Sequence, residues 1–171
     1  MIVVTDTSVI LNLCLIGQEA LLPRLYGSTW APTVVVAEFQ RLAAEDPRFL
    51  GLTFPAFIQR AAPAQLLPSL AASRRLQAGE IAALSLAVER QADAVLMDEL
   101  AGRAAAVALG LRPVGLLGIL LDAKKRNLVP AVAPLLDKLE AEAEFWISAS
   151  LRVAVLKDAG EASAAPDAPG R

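Results

Sequence analysis

The stretch Met1-Ile2-Val3-Val4-Thr5-Asp6-Thr7-Ser8 decides how this chain is read. A short β-branched run ends in an acid and hydroxyl residues, which reads as a buried strand, a turn and a helix start. A second stretch repeats the pattern: Ala94-Val95-Leu96-Met97 is a run of the fully buried kind, and it ends at Asp98. Short apolar strands alternating with helical patterns predict an α/β domain, with a short central parallel sheet covered by helices on both faces.

Outward from the first stretch, Val9 to Leu15 reads as a helix ending near Gly17, and Glu19 to Leu25 as one ending near Gly27. Ser28-Thr29-Trp30-Ala31 is a second strand. Pro32-Thr33 opens a helix with Thr33 as its expected N-cap and Val34, Val35, Glu38 and Leu42 on one face. Residues 45–68 carry Pro47, Pro55, Pro63 and Pro68 and read as an irregular connection, with an edge strand expected around Leu50 to Phe54. Gly79 starts a helix over Glu80 to Arg90 with Ile81, Leu84 and Val88 in its apolar stripe. Leu100 to Leu109 is helical, and Arg112-Pro113-Val114 is a last short strand. Leu116 to Lys125, Ala131 to Ala143 and Ser148 to Lys157 are further helices. One domain is expected over residues 1–157, followed by a small, polar, Pro-rich tail over 158–171 that reads as disordered.

The 171 residues suffice for one domain with a real core. With no histidine and one cysteine, Ser-His-Asp and Cys-His hydrolysis, histidine bases, His-ligated zinc and cysteine clusters are excluded. Carboxylates, hydroxyls, amides and cations remain for chemistry. The net charge of −2 argues against a strongly basic nucleic-acid scaffold, but not against a local basic rim. Although 56% of residues are hydrophobic, the runs between charges fall short of the ~18 residues of a membrane span. No signal peptide is visible at the start, so the expected location is the cytoplasm.

Asp6 and Asp98 both end buried runs, so a parallel sheet would place both at carboxyl strand ends, where α/β folds bind ligands. On neighbouring strands, roughly 4.8 Å apart, two such carboxylates repel unless one is protonated or a cation lies between them. Each could instead simply cap the helix that follows. Glu38 lies in the apolar stripe of its helix and must be metal-bound, paired, with Arg41 three residues on as the candidate, or at the edge of the buried face. Glu80 stands in the first turn of its helix, where a negative charge is favoured, yet beside Ile81 and Leu84 on the inward side. Together the four acids would form an oxygen-only cage suited to Mg2+ or Mn2+ and to phosphate chemistry.

Several of these segments resemble the PIN domain. They are Asp6-Thr-Ser, Pro32-Thr-Val-Val-Val-Ala-Glu38, Gly79-Glu80-Ile-Ala-Ala-Leu-Ser-Leu-Ala87 and Val95-Leu-Met-Asp98-Glu-Leu-Ala-Gly-Arg103. The stretch from Gly110 to Lys124 resembles a PIN subgroup related to VapC toxins, and the likeness covers residues 1–157. It implies a PIN-like three-layer α/β/α sandwich and a Mg2+- or Mn2+-dependent endoribonuclease, usually the toxin of a type II toxin–antitoxin pair. The implied catalytic and metal-binding residues are Asp6, Glu38, Glu80 and Asp98. Ser8 and Asn12 fall where polar residues support the site. Glu99 is a fifth acid or a first-turn helix charge, and Arg103 either pairs with Glu99 or touches phosphate. The subgroup commonly has a small hydroxyl residue where this chain has Leu116, which puts a supporting contact at stake.

The partners this implies are an RNA substrate, a small cognate antitoxin and a second copy of the chain. The tight basic clusters, Arg74-Arg75 and Lys124-Lys125-Arg126, would suit RNA as a rim or stand as solvated helix ends. The alternative of another class is a catalytically inactive PIN-like RNA-binding or regulatory protein whose acids are only caps.

Overall fold

A computed structural model of the chain describes residues 1–161. In order, the elements are β1 (Ile2–Thr5), α1 (Thr7–Leu15), α2 (Leu21–Tyr26), β2 (Ser28–Pro32), α3 (Thr33–Glu45), β3 (Gln59–Ala61), α4 (Pro68–Ala71), α5 (Ala78–Glu89), β4 (Ala94–Leu96), α6 (Leu100–Ala108), β5 (Pro113–Val114), α7 (Leu116–Lys125), α8 (Ala133–Glu142) and α9 (Ala149–Asp158). The strands form one parallel sheet in the order β3-β2-β1-β4-β5.

Alternation along the strands sets the layers. Val3, Ala94 and Leu96 face a core shared with Leu13, Leu22, Phe39, Leu120 and Leu136, whereas Val4, Val95 and Met97 face a second core built on Leu84, Leu86 and Ala106. Helices therefore cover both faces, and the chain is the three-layer α/β/α sandwich expected. The central strands are buried on both sides, which explains why they read as unbroken apolar runs.

Several local expectations are corrected. The edge strand is β3, not Leu50 to Phe54, where Leu50 is exposed and lies in a turn. Thr33 is the first residue of α3 rather than its N-cap; Pro32 holds that position and gives no side-chain cap. Val34 and Val88 are exposed, so neither belongs to a core-facing stripe. Chain order also extends past residue 157. α9 runs through Asp158, and Glu161 accepts from Val132 N (2.7 Å) and Ala133 N (2.9 Å) at the start of α8 and pairs with Lys124. The rest of the expected tail, 162–171, lies outside the described residues. Among those residues, no helix is long and apolar enough to cross a membrane.

Candidate functional site

The chain adds β2 and β3 to one side of β1 and β4 and β5 to the other, so the order of connection reverses between β1 and β4. In open α/β sheets the crevice at such a switch point, beyond the carboxyl strand ends, is where ligands bind. Asp6 and Asp98 stand there. Thr5 pairs with Leu96 and the Asp6 amide donates to Leu96 O (3.0 Å), which sets Asp98 just past the end of the ladder.

The two aspartates are held differently. Asp6 is the N-cap of α1: Oδ1 accepts from Val9 N (3.0 Å), and the Ser8 hydroxyl reaches both oxygens at 3.2 Å. Asp98 does not cap the helix after it. Glu99 is the N-cap residue of α6, and Asp98 reaches across to the start of α7, where Oδ1 accepts from Leu116 N (2.8 Å). The Leu116 side chain is fully buried in the core, so its backbone amide makes this contact whatever the side chain is.

Glu38 and Glu80 come to the same cleft from helices. Glu38 Oε2 accepts from the Thr7 hydroxyl at 2.6 Å, while Arg41 pairs with Glu45 and not with Glu38. Glu80 completes a capping box with Gln77, and its Oε2 accepts from Gln77 N (2.8 Å). The capping reading therefore accounts for one Glu80 oxygen. The other, Oε1, is buried without a partner, as is Asp98 Oδ2.

Glycines let these acids sit where they do. A Cβ at Gly79 would come within 3.1 Å of Glu38 Oε2, and one at Gly115 within 2.8 Å of Asp98 Oδ1. A Cβ at Gly102 would overlap Glu80 Oε1 and Met97 Sδ.

All four acids line one cleft of about 470 Å³, together with Ser8, Asn12 and Glu99. Glu144 is a sixth acid on its wall and Arg48 the only lining cation among the described residues; Arg48 pairs with Asp46 (2.7 Å) and Glu144 (3.8 Å). Burial pushes the Asp6 carboxyl up to about 8, against the Val9 hydrogen bond and with help from the Asp98 and Glu80 charges. Burial also raises Asp98 and Glu80; Glu99 adds to both shifts, while Arg103 opposes that of Asp98. Arg103 does not pair with Glu99: it donates to Met97 O at 3.1 Å and stands beside Asp98.

The donor set suits a hard cation. It is all oxygen, and buried carboxylate oxygens without partners are the atoms a cation would satisfy. Among the described residues no three Asp, Glu, Cys or His side chains are grouped as a metal-binding cluster, so the acids share a cleft rather than a finished cage.

Thr7, Gln77 and the Leu116 amide orient acids yet had no assigned role in the sequence. For Gln77 a signal was present, since Gln77-Ala-Gly-Glu80 has capping-box spacing. For Thr7 and the Leu116 amide there was none, because their partners lie 31 and 18 residues away. Trp146, on the far wall, likewise comes from a distant linker.

A family model described as a PIN domain matches residues 2–161. No curated protein and no solved structure matches. PIN domains are generally nucleases, and they typically use divalent metal ions. With its parallel sheet, its helix layers and the match over nearly its whole length, the chain belongs to the PIN domain family.

Proposed function

We propose that this PIN domain is a Mg2+- or Mn2+-dependent endoribonuclease, the toxin component of a type II toxin–antitoxin pair acting in the cytoplasm. The observation that carries the reading is the gathering of Asp6, Glu38, Glu80 and Asp98 on one cleft at the β1/β4 switch point. These four would hold the ion. When bound, it supplies a Lewis acid that activates water and offsets charge on phosphodiester oxygens.

The chain's own groups do the positioning. Val9 N–H and the Ser8 hydroxyl fix Asp6, Leu116 N–H fixes Asp98, Gln77 N–H fixes Glu80 and the Thr7 hydroxyl fixes Glu38. Each acid thus has an oxygen anchored from a neighbouring group, which limits how far the carboxylate turns. Arg103 lends positive charge beside Asp98. The Leu116 side chain is buried in the core, and its backbone N–H holds Asp98 Oδ1.

The toxin assignment draws on the resemblance to VapC toxins. Exposed Leu100, Val107 and Val153 supply apolar surface for an antitoxin or a second copy of the chain to cover. The alternative, a PIN-like RNA-binding or regulatory protein without catalysis, draws on the absence of a finished cage among the described residues. An RNA cleavage assay with and without Mn2+ separates the two. Metal-dependent cleavage that Asp6→Asn abolishes is the expected result, and cleavage retained by Asp6→Asn would overturn the site.

A further inference from the structure

A second cleft, of about 490 Å³, adjoins the acidic one and shares Asp98, Phe145 and Trp146 with it. Its wall carries Arg103, Arg112 and Lys125, set against Asp98 and Asp122. None of these three cations forms an ion pair among the described residues, whereas Arg41, Arg48, Lys124 and Arg152 all do. Trp146 stands on the boundary between the clefts with 83% of its surface exposed. It belongs to the linker between α8 and α9, in which Glu144 adopts a left-handed backbone conformation with φ 54°. Trp30, by contrast, is half-buried beneath Arg90, 4.0 Å from its ring.

We propose that Trp146 and the cationic cleft form the track for a single-stranded RNA, with Trp146 stacking a base next to the acids and Arg112 and Lys125 taking the flanking phosphates. The proposal rests on the ribonuclease reading and adds the strand's path to it. An acidic cleft with one cation repels a polyanion, so the strand needs its anchorage elsewhere. Exposed cations beside an exposed aromatic are the two parts that sequence-tolerant single-strand binding uses. An acidic peptide would satisfy the cations but offers the indole a face only where it carries an aromatic or proline residue, whereas every base of a single strand offers one. A duplex keeps its bases stacked inside and offers none either.

The test is titration of chelator-treated protein with a short oligoribouridylate, read by tryptophan emission and by a fluorescent label on the RNA. Quenching is expected to persist in Trp30→Phe, where Trp146 is the sole emitter. Trp146→Ala weakens binding about tenfold and Trp146→Phe restores most of it. Arg112→Gln with Lys125→Gln lowers the slope of log affinity against log salt by about 0.7 per cation removed. Trp146, Arg112 and Lys125 are exposed, so the fold tolerates their replacement, and phenylalanine keeps an aromatic ring at the half-buried Trp30. In the Mn2+ cleavage assay the loss falls on KM rather than kcat. Wild-type cleavage with unchanged KM and affinity in the variants would overturn the track and leave the nuclease standing. A wild type that neither binds nor cleaves RNA overturns both, and quenching by polyglutamate but not by oligoribouridylate assigns the cleft to an acidic protein partner instead.

Discussion

Asp6 and Asp98 end adjacent parallel strands, yet the chain treats them in opposite ways. Asp6 turns back on its own helix, caps it through Val9 N and is almost wholly buried. Asp98 leaves its own helix uncapped and reaches to Leu116 at the start of another, keeping Oδ2 free of any partner among the described residues. One local rule, that an acid before a helix caps it, explains the first and fails for the second. Asp98 anchors one oxygen on the first amide of α7 and leaves the other without a partner, which makes that second oxygen the one open to a shared ligand.

That contrast can be broken most forcefully by charge removal. Asp6→Asn and Asp98→Asn are each expected to lower RNA cleavage by about a thousandfold or more, because several kcal/mol of transition-state stabilisation are lost. Full activity in either would remove that aspartate from the site. The two differ in stability. The Asp6 carboxyl is raised from its usual value to about 8 by folding, so the folded state holds a proton that the unfolded state has released. The ion-free protein therefore loses stability as pH climbs from about 4 to about 8 and levels off above that. Thermal melts across that range should show the fall, and Asp6→Asn should flatten it more than Asp98→Asn does. A wild-type melting temperature that rises with pH would contradict the burial of an acid at position 6.

Smaller changes sharpen the comparison. Gly115→Ala places a Cβ 2.8 Å from Asp98 Oδ1 and should cost about 1–3 kcal/mol in urea denaturation, with activity falling as Asp98 is displaced. Ser8→Ala removes a side-chain donor to Asp6 while the Val9 amide stays, so its expected cost is at most about 1 kcal/mol. A larger effect at Ser8 than at Gly115 would mean that the hydroxyl, not the backbone, orients the site.

The sandwich was legible in the sequence where burial is two-sided. β1 and β4 read as apolar runs because both faces pack, and the acids at their ends follow from that. β3 was misplaced because Gln59, Arg60 and Ala61 make an exposed edge strand whose backbone pairing leaves no apolar trace. The four acids could be chosen from position and pattern alone. What holds them could not, since the Leu116 amide and the Thr7 hydroxyl meet their partners only through tertiary packing. Where the subgroup commonly has a small hydroxyl residue this chain has Leu116, whose side chain is buried and whose backbone N–H holds Asp98.

Calorimetric titration of the chelator-treated protein with Mn2+, repeated on Asp6→Asn and Asp98→Asn, tests the shared ion directly. Saturable binding by the wild type, lost or greatly weakened in both variants, is the predicted result. Binding undiminished in both variants, or none in the wild type, would contradict a divalent ion held between the two strand ends.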